Sequence, residues 1–303
     1  MQPALTRLAR LTRRADTDGL PAWARGALLM VVSAVGFAIM NACAKEASRR
    51  LPFLEVAFAR ALLGAVAVAL WARARGISLA INNRRVVALR VTSGTVSMTL
   101  TFYALAASPL GEASALMNLT PIFVAGIGVV WLRERVTAGV LACLLLGLLG
   151  AFLVFHPTGG VSRGALAAIG AAATSALAMT SLRKLGATET SEAVVASFQS
   201  FGALVTGLLT IPVFVLPTGR EAALLVVAGL SATIAQVSMT RAYAADVAAR
   251  VGGMNYLHIV VSLLFGIALF GERPDLSALA GIAAILAAGG GLVWTAYRSR
   301  SAP

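Results

Sequence analysis

Charge is what this 303-residue chain has least of: Asp, Glu, Lys and Arg together make 12%, half of the roughly 25% that covers a soluble domain. A water-soluble enzyme or binding domain is excluded on that ground. Two cysteines and two histidines build neither a disulfide framework nor an evident metal cluster, so no metal and no cofactor is expected. A G-x-x-x-x-G-K-[ST] loop is missing too, which removes nucleotide hydrolysis within the chain as a source of energy. Gly160-Val161-Ser162-Arg163-Gly164 matches G-x-S-x-G in letters only, because no strand precedes it. Acids are the scarcer charges, 12 against 25 Lys and Arg. Such an excess can signal nucleic acid, but here the cations lie in short gaps between apolar runs and not on one face of a polar domain. Nucleic acid is therefore not an expected partner.

What remains is apolar: 59% of residues are hydrophobic and the mean hydropathy is +0.86. About 20 apolar residues span a bilayer as a helix. Ten such runs are present, Gly26–Ala44, Leu54–Trp71, Val87–Ala107, Ala113–Leu132 and Thr137–Phe155, then Gly164–Leu182, Val194–Leu216, Ala222–Ala242, Val251–Phe270 and Leu276–Trp294. They are continuous and rich in Ala, Leu and Gly without alternation, which excludes a transmembrane barrel. The expected fold is all-α, a polytopic membrane protein of ten transmembrane helices. Trp23, Trp71, Trp131 and Trp294 lie near span ends, where an aromatic belt forms. Residues 1–25 form a basic tail. Reading the first run as a signal peptide cleaved at Ala42-Cys43-Ala44 fits poorly, since the run exceeds the roughly 7–15 residues of a signal core.

Alternate sides of the spans hold 18 and 6 Lys and Arg, with Arg60 inside a span. The positive-inside rule then puts both termini in the cytoplasm, and a bacterial cytoplasmic membrane is the expected location. The second half also restates the first. Gly26-Ala27-Leu28 recurs as Gly164-Ala165-Leu166, Lys45 as Arg183-Lys184, Tyr103-Ala104 as Tyr243-Ala244, Met117-Asn118 as Met254-Asn255, and Glu134-Arg135 as Glu272-Arg273. Residues 26–157 and 158–297 are thus expected as two repeats of five helices, followed by a short tail, 298–303. Five is odd, so the second repeat is inverted relative to the first. Inverted repeats place a binding site near the midplane and permit alternating access.

The segments Phe102-Tyr103-Ala104-Leu105, Asn118-Leu119-Thr120-Pro121 and Trp131-Leu132-Arg133-Glu134-Arg135-Val136 resemble the EamA-type half of the drug/metabolite transporter superfamily. Asn255-Tyr256-Leu257 and Phe270-Gly271-Glu272-Arg273-Pro274 resemble the second half. The resemblance implies ten helices with cytoplasmic ends and a cavity lined by helices one to four and six to nine. It also implies a transporter, often an exporter, of amino acids or other small metabolites.

Polar side chains inside a bilayer usually face the bundle interior. Arg60 is the sharpest: it either attracts an anionic solute group, pairs with Glu55, or snorkels. His258 either relays protons or donates one hydrogen bond between helices; it occupies the repeat position of Pro121. Asn41, Asn118, Gln199, Gln236, Asn255 and Tyr256 complete the set of candidate substrate-binding residues. Amides both donate and accept, which suits a zwitterionic or uncharged polar solute. Glu55, Glu112 and Asp246 read as helix caps, and Glu134 and Glu272 as pins for loops. Small residues recur every four positions at Gly139, Cys143, Gly147 and Ala151, and again at Ala280, Ala284 and Ala288. They give spans five and ten faces for packing or for a homodimer. The expected function is secondary-active export of a small polar metabolite, with lipid and the solute as partners. The alternatives are a membrane-embedded enzyme or lipid flippase, or a scaffold without flux.

Overall fold

The computed structural model describes residues 22–107, 116–155, 162–261, 264 and 275–301. The basic tail through residue 21, Glu112, Gly160-Val161, and the end of span nine with Glu272-Arg273 lie outside them, as do the last two residues. Among the described residues the fold is all-α. The helices are α1 (Ala22–Ala47), α2 (Phe53–Arg75), α3 (Arg84–Ala107), α4 (Thr120–Leu132), α5 (Ala138–Phe155), α6 (Arg163–Leu185), α7 (Ser191–Thr210), α8 (Gly219–Ala245), α9 (Ala248–Met254) and α10 (Leu276–Ser301).

Six of these, α1, α2, α6, α7, α8 and α10, are long and apolar enough to cross a membrane, and α4 and α5 are shorter apolar helices. The protein is a multi-pass membrane protein. Helix α3 is less apolar because it is rich in hydroxyls, yet four of these are satisfied locally, and Ser97 donates to Ala171 O of α6 at 2.9 Å. Thr92, Ser93, Thr95 and Thr99 each donate to the carbonyl four residues back, at 2.5–3.1 Å. Back-bonding of this kind lets Ser and Thr sit inside a helix where water is absent.

Helix ends follow from local sequence. Ser162 and Thr190 accept from the backbone N–H three residues on, and Thr218 forms a reciprocal cap with Glu221. Helix α2 closes on Gly76 at φ 62°, a left-handed conformation that glycine adopts without strain. Helix α4 closes on Arg133, also left-handed at φ 56°, which brings the N–H of Glu134 to 3.1 Å from Gly128 O.

The principal packed pairs are α1 with α8, α3 with α6, α2 with α7, and α5 with α10. Every pair joins one helix from residues 26–157 to one from 158–297. Close approach depends on small residues. A Cβ on Gly150 would lie 2.6 Å from Gly281 O, and one on Gly281 the same distance from Gly150 O. This corrects the expected stripe on span ten: its buried face is Ala278, Gly281, Ile285, Ala288 and Leu292, whereas Ala280 is exposed. Gly147 and Ala151 do face inward, and packing within this chain covers them. Outward surfaces are aliphatic, as at Val130, Leu216 and Leu276, which is the inverse of a soluble protein.

Polar contacts gather at the two ends of the bundle. At one end Arg50 meets Glu221 at 2.5 Å and Arg220 meets Glu46 at 3.0 Å. The carboxylate beside it raises the pKa of Arg50 above its ordinary value. At the other end Arg241 pairs with Glu192, and Glu189 accepts from the backbone N–H groups of Asn82 and Asn83.

Candidate functional site

A cavity of about 370 Å³ lies at the middle of the bundle. Helix α1 offers it Met30, Ser33, Phe37 and Asn41, residues spaced by three or four so that they share one face. On α3 the same spacing presents Arg90, Gly94 and Ser97. Ser175 and Met179 of α6, Phe198 of α7, and Gln236 and Met239 of α8 enclose the opposite side. Helices α5 and α10 contribute no lining residue among those described, in keeping with their apolar sequences, and neither does α2, which the expected wall of helices one to four and six to nine had included.

Two broken helices complete the wall. The turn at Asn118-Leu119 precedes α4, and the turn at Asn255-Tyr256 follows α9. Both side-chain amides line the cavity, as do Thr120, Pro121, Met254 and His258. Irregular backbone at membrane depth is tolerated where it lines a cavity. In the second turn the N–H of His258 bonds Asn255 O at 3.0 Å.

Five of the eight residues singled out from sequence meet here: Asn41, Asn118, Gln236, Asn255 and His258. Asn41, exposed at the rim, holds its Nδ2 3.2 Å from His258 Nε2. Asn255 Nδ2 lies 3.3 Å from the sulfur of Met179, and one end of the Gln236 amide, Oε1, is buried without a partner. The other three lie elsewhere. Tyr256 is one residue on from Asn255 and so faces away, its ring on Gly147 and its hydroxyl donating to Leu144 O at 3.3 Å. Gln199 lies over Gly64, where a Cβ would come within 2.2 Å of its Nε2. Arg60 shares a small void with Gln199, Met98 and Phe198. Among the described residues its guanidinium meets only the sulfurs of Met40 and Met98, at 3.7 and 3.9 Å. Of the three readings of Arg60, the pair with Glu55 is not formed: five helical residues put the two on different faces, and Glu55 accepts from the N–H of Val215 at 2.9 Å.

Arg90 is the residue that sequence reasoning passed over, having counted it with the loop cations. It stands inside α3, is 4% exposed, and carries the cavity's permanent positive charge. Its guanidinium carbon lies 4.3 Å from the centre of the Phe198 ring. A Cβ on Gly94 would meet Arg90 Nη1 at 2.5 Å and the Phe198 ring at 2.9 Å, so glycine is what admits this stack. The signal in the sequence was the spacing Arg90, Gly94, Ser97. Removing a guanidinium from water costs on the order of several kcal/mol, which a loop position would not require. Five of the chain's eight methionines also line the cavity, namely Met30, Met40, Met179, Met239 and Met254. Their unbranched thioethers make adaptable walls.

A helical bundle with a polar cavity walled by broken helices is the design of a membrane transport protein. The EamA-like transporter family model matches residues 24–156. The chain is 33% identical over 259 residues to the pseudopaline exporter of Pseudomonas aeruginosa, covering 84% of this chain and 91% of that protein. It is 26% identical over 260 residues to the riboflavin transporter of Vibrio cholerae, covering 82% and 86%. A crystal structure that is 22% identical superposes with a TM-score of 0.79 over 92% of this chain and 99% of the other. The chain therefore belongs to the EamA-like transporter family, within the drug/metabolite transporter superfamily. It is a multi-pass membrane transporter of small metabolites.

Proposed function

We propose that the chain is a secondary-active exporter that moves a small polar metabolite, an amino acid or related organic solute, by alternating access. The observation that carries this reading is the central cavity, walled from both halves of the chain and by two broken helices whose turns fall at the recurring Met-Asn pair. Asn41, Asn118, Gln236, Asn255 and His258 contact the solute in this reading. Tyr256 positions the Asn255 turn from behind, and Arg60 and Gln199 lie one layer beyond Met40 and Phe198.

Ten spans in two inverted repeats fit the packing. Exchanging each helix for the one five places on turns the α1–α8 pair into α6–α3, and leaves α2–α7 and α5–α10 unchanged. This reciprocity supports a two-fold relation between residues 26–157 and 158–297, about which one half rocks against the other. The Lys and Arg asymmetry supports cytoplasmic termini and a bacterial inner-membrane location. The relative named as an exporter supports the direction, and the absence of a phosphate-binding loop supports drive by ion or solute gradients.

The test is flux. Proteoliposomes containing the purified chain are loaded with a panel of amino acids, hydroxy acids and vitamins, and release is followed under an imposed proton gradient. Saturable, gradient-dependent release of at least one solute is expected. Its absence across the panel from well-folded protein would contradict the reading.

A further inference from the structure

The cavity contains a buried donor without an acceptor and a buried acceptor without a donor. The Arg90 side chain has no hydrogen bond or ion pair among the described residues, and its Nε is one of the buried atoms left unmet. Among the described residues, no Asp or Glu lines the cavity with it. Phe198 covers one face of the guanidinium, and a ring face attracts a cation but accepts no conventional hydrogen bond. The planar fork of donors stays charged at any physiological pH and matches two oxygens side by side. Gln236 Oε1, in the wall of the same cavity, is the unmet acceptor. Charges and amides withdrawn from water in this way need partners, and the described side chains supply none.

We propose that Arg90 binds the carboxylate of the transported solute while Gln236 accepts from an ammonium or hydroxyl of the same molecule. The solute is then an amino or hydroxy acid, its remaining part resting against Phe37 and the methionine walls. Gly94 and Phe198 act as positioning residues that hold the fork. This assignment rests on the transporter reading and names the substrate class for that cavity.

The experiment uses the purified full-length chain and matched probes: methionine, phenylalanine and 2-hydroxy-4-methylpentanoate, each beside its amide. Affinity is read from ligand-induced shifts in the thermal unfolding midpoint. At least one acid is expected to bind about tenfold or more tighter than its amide, as a charge-assisted hydrogen bond requires. Arg90→Gln should abolish that preference, and Arg90→Lys, which keeps the charge but loses the fork, should retain only part of it. Arg220→Gln, far from the cavity, should retain it all. If no acid in the panel is preferred to its amide, the proposal is overturned. It is equally overturned if the preference survives whole in Arg90→Lys, or at all in folded Arg90→Gln. Flux of the same probes separates the two readings. Arg90-dependent binding without any flux would remove the transport reading and leave the site. Flux confined to the amides would leave transport and remove the site.

Discussion

Glu134 Oε1 accepts from Arg183 Nε at 3.2 Å while its Oε2 accepts from the backbone N–H of Ala248 at 3.0 Å. One carboxylate thereby ties the end of α4 to α6 and to the start of α9. Arg183 extends the link to α8 through Ala244 O, 2.8 Å from its Nη1. The pinning role expected of Glu134 has this physical form: it reaches two helices of the other half.

Glu134→Ala should leave Arg183 and the Ala248 N–H without their acceptor. A destabilisation of about 2 kcal/mol is expected, read as a fall in the unfolding midpoint of detergent-purified protein. Glu134→Gln still accepts from Ala248 and should lose about half as much. A midpoint equal to the wild type in both variants would show that the links form without contributing to stability.

The face that Tyr256 presents gives a second test. Gly147 admits the tyrosine ring, because a Cβ there would lie 2.4 Å from Cδ2. Gly147→Leu should therefore destabilise by at least about 2 kcal/mol, as overpacking does, with reduced yield of monodisperse protein. Tyr256→Phe removes only the bond to Leu144 O and should cost about 1 kcal/mol while leaving solute preference unchanged. A changed preference in Tyr256→Phe would move the hydroxyl into the solute pathway.

Six of the expected spans were legible as long apolar helices, because hydropathy over a window of about 20 residues reports burial in lipid directly. Which side of a span faces the cavity was less legible, since that depends on rotation about each helix axis. Asn255 and His258 are three apart and share a face; Tyr256, between them, points at α5. Arg60 drew attention as the cation deepest in an apolar run, yet its neighbours are thioethers of α1 and α3. Arg90 was missed because it lies only three residues into the expected run Val87–Ala107 and so looks like a loop cation, whereas α3 begins earlier, at Arg84. Its spacing to Gly94 and Ser97 carried the information that depth did not.

Orientation offers a third test. Reporter fusions after Pro303 and within the loop at Arg84 should both report the cytoplasm, and fusions near Arg49 and Arg220 the opposite side. The basis is the division of Lys and Arg, 17 to 6 once Arg90 is counted inside α3, a bias that sets topology through short loops. A C-terminus outside the cytoplasm would contradict ten spans.

The last prediction concerns Asn41 and His258. The amide Nδ2 of Asn41 carries only donors, so its approach to His258 Nε2 at 3.2 Å selects an imidazole whose Nε2 is bare and whose proton sits on Nδ1. The Phe37 ring meets that imidazole edge-on, with centroids 6.2 Å apart, which leaves little freedom to turn. Protonating Nε2 would remove the acceptor and place a second cation in a cavity that already holds Arg90. Flux in proteoliposomes without an imposed gradient should then fall as pH is lowered until the imidazole gains its charge. His258→Gln keeps an acceptor for Asn41 and does not titrate, so its flux should stay level across the same range. His258→Phe keeps the ring but loses the acceptor, and should fold while transporting more slowly at every pH. An equally steep fall in His258→Gln would mean that another group titrates, and His258 would then serve only to join α1 to the broken helix.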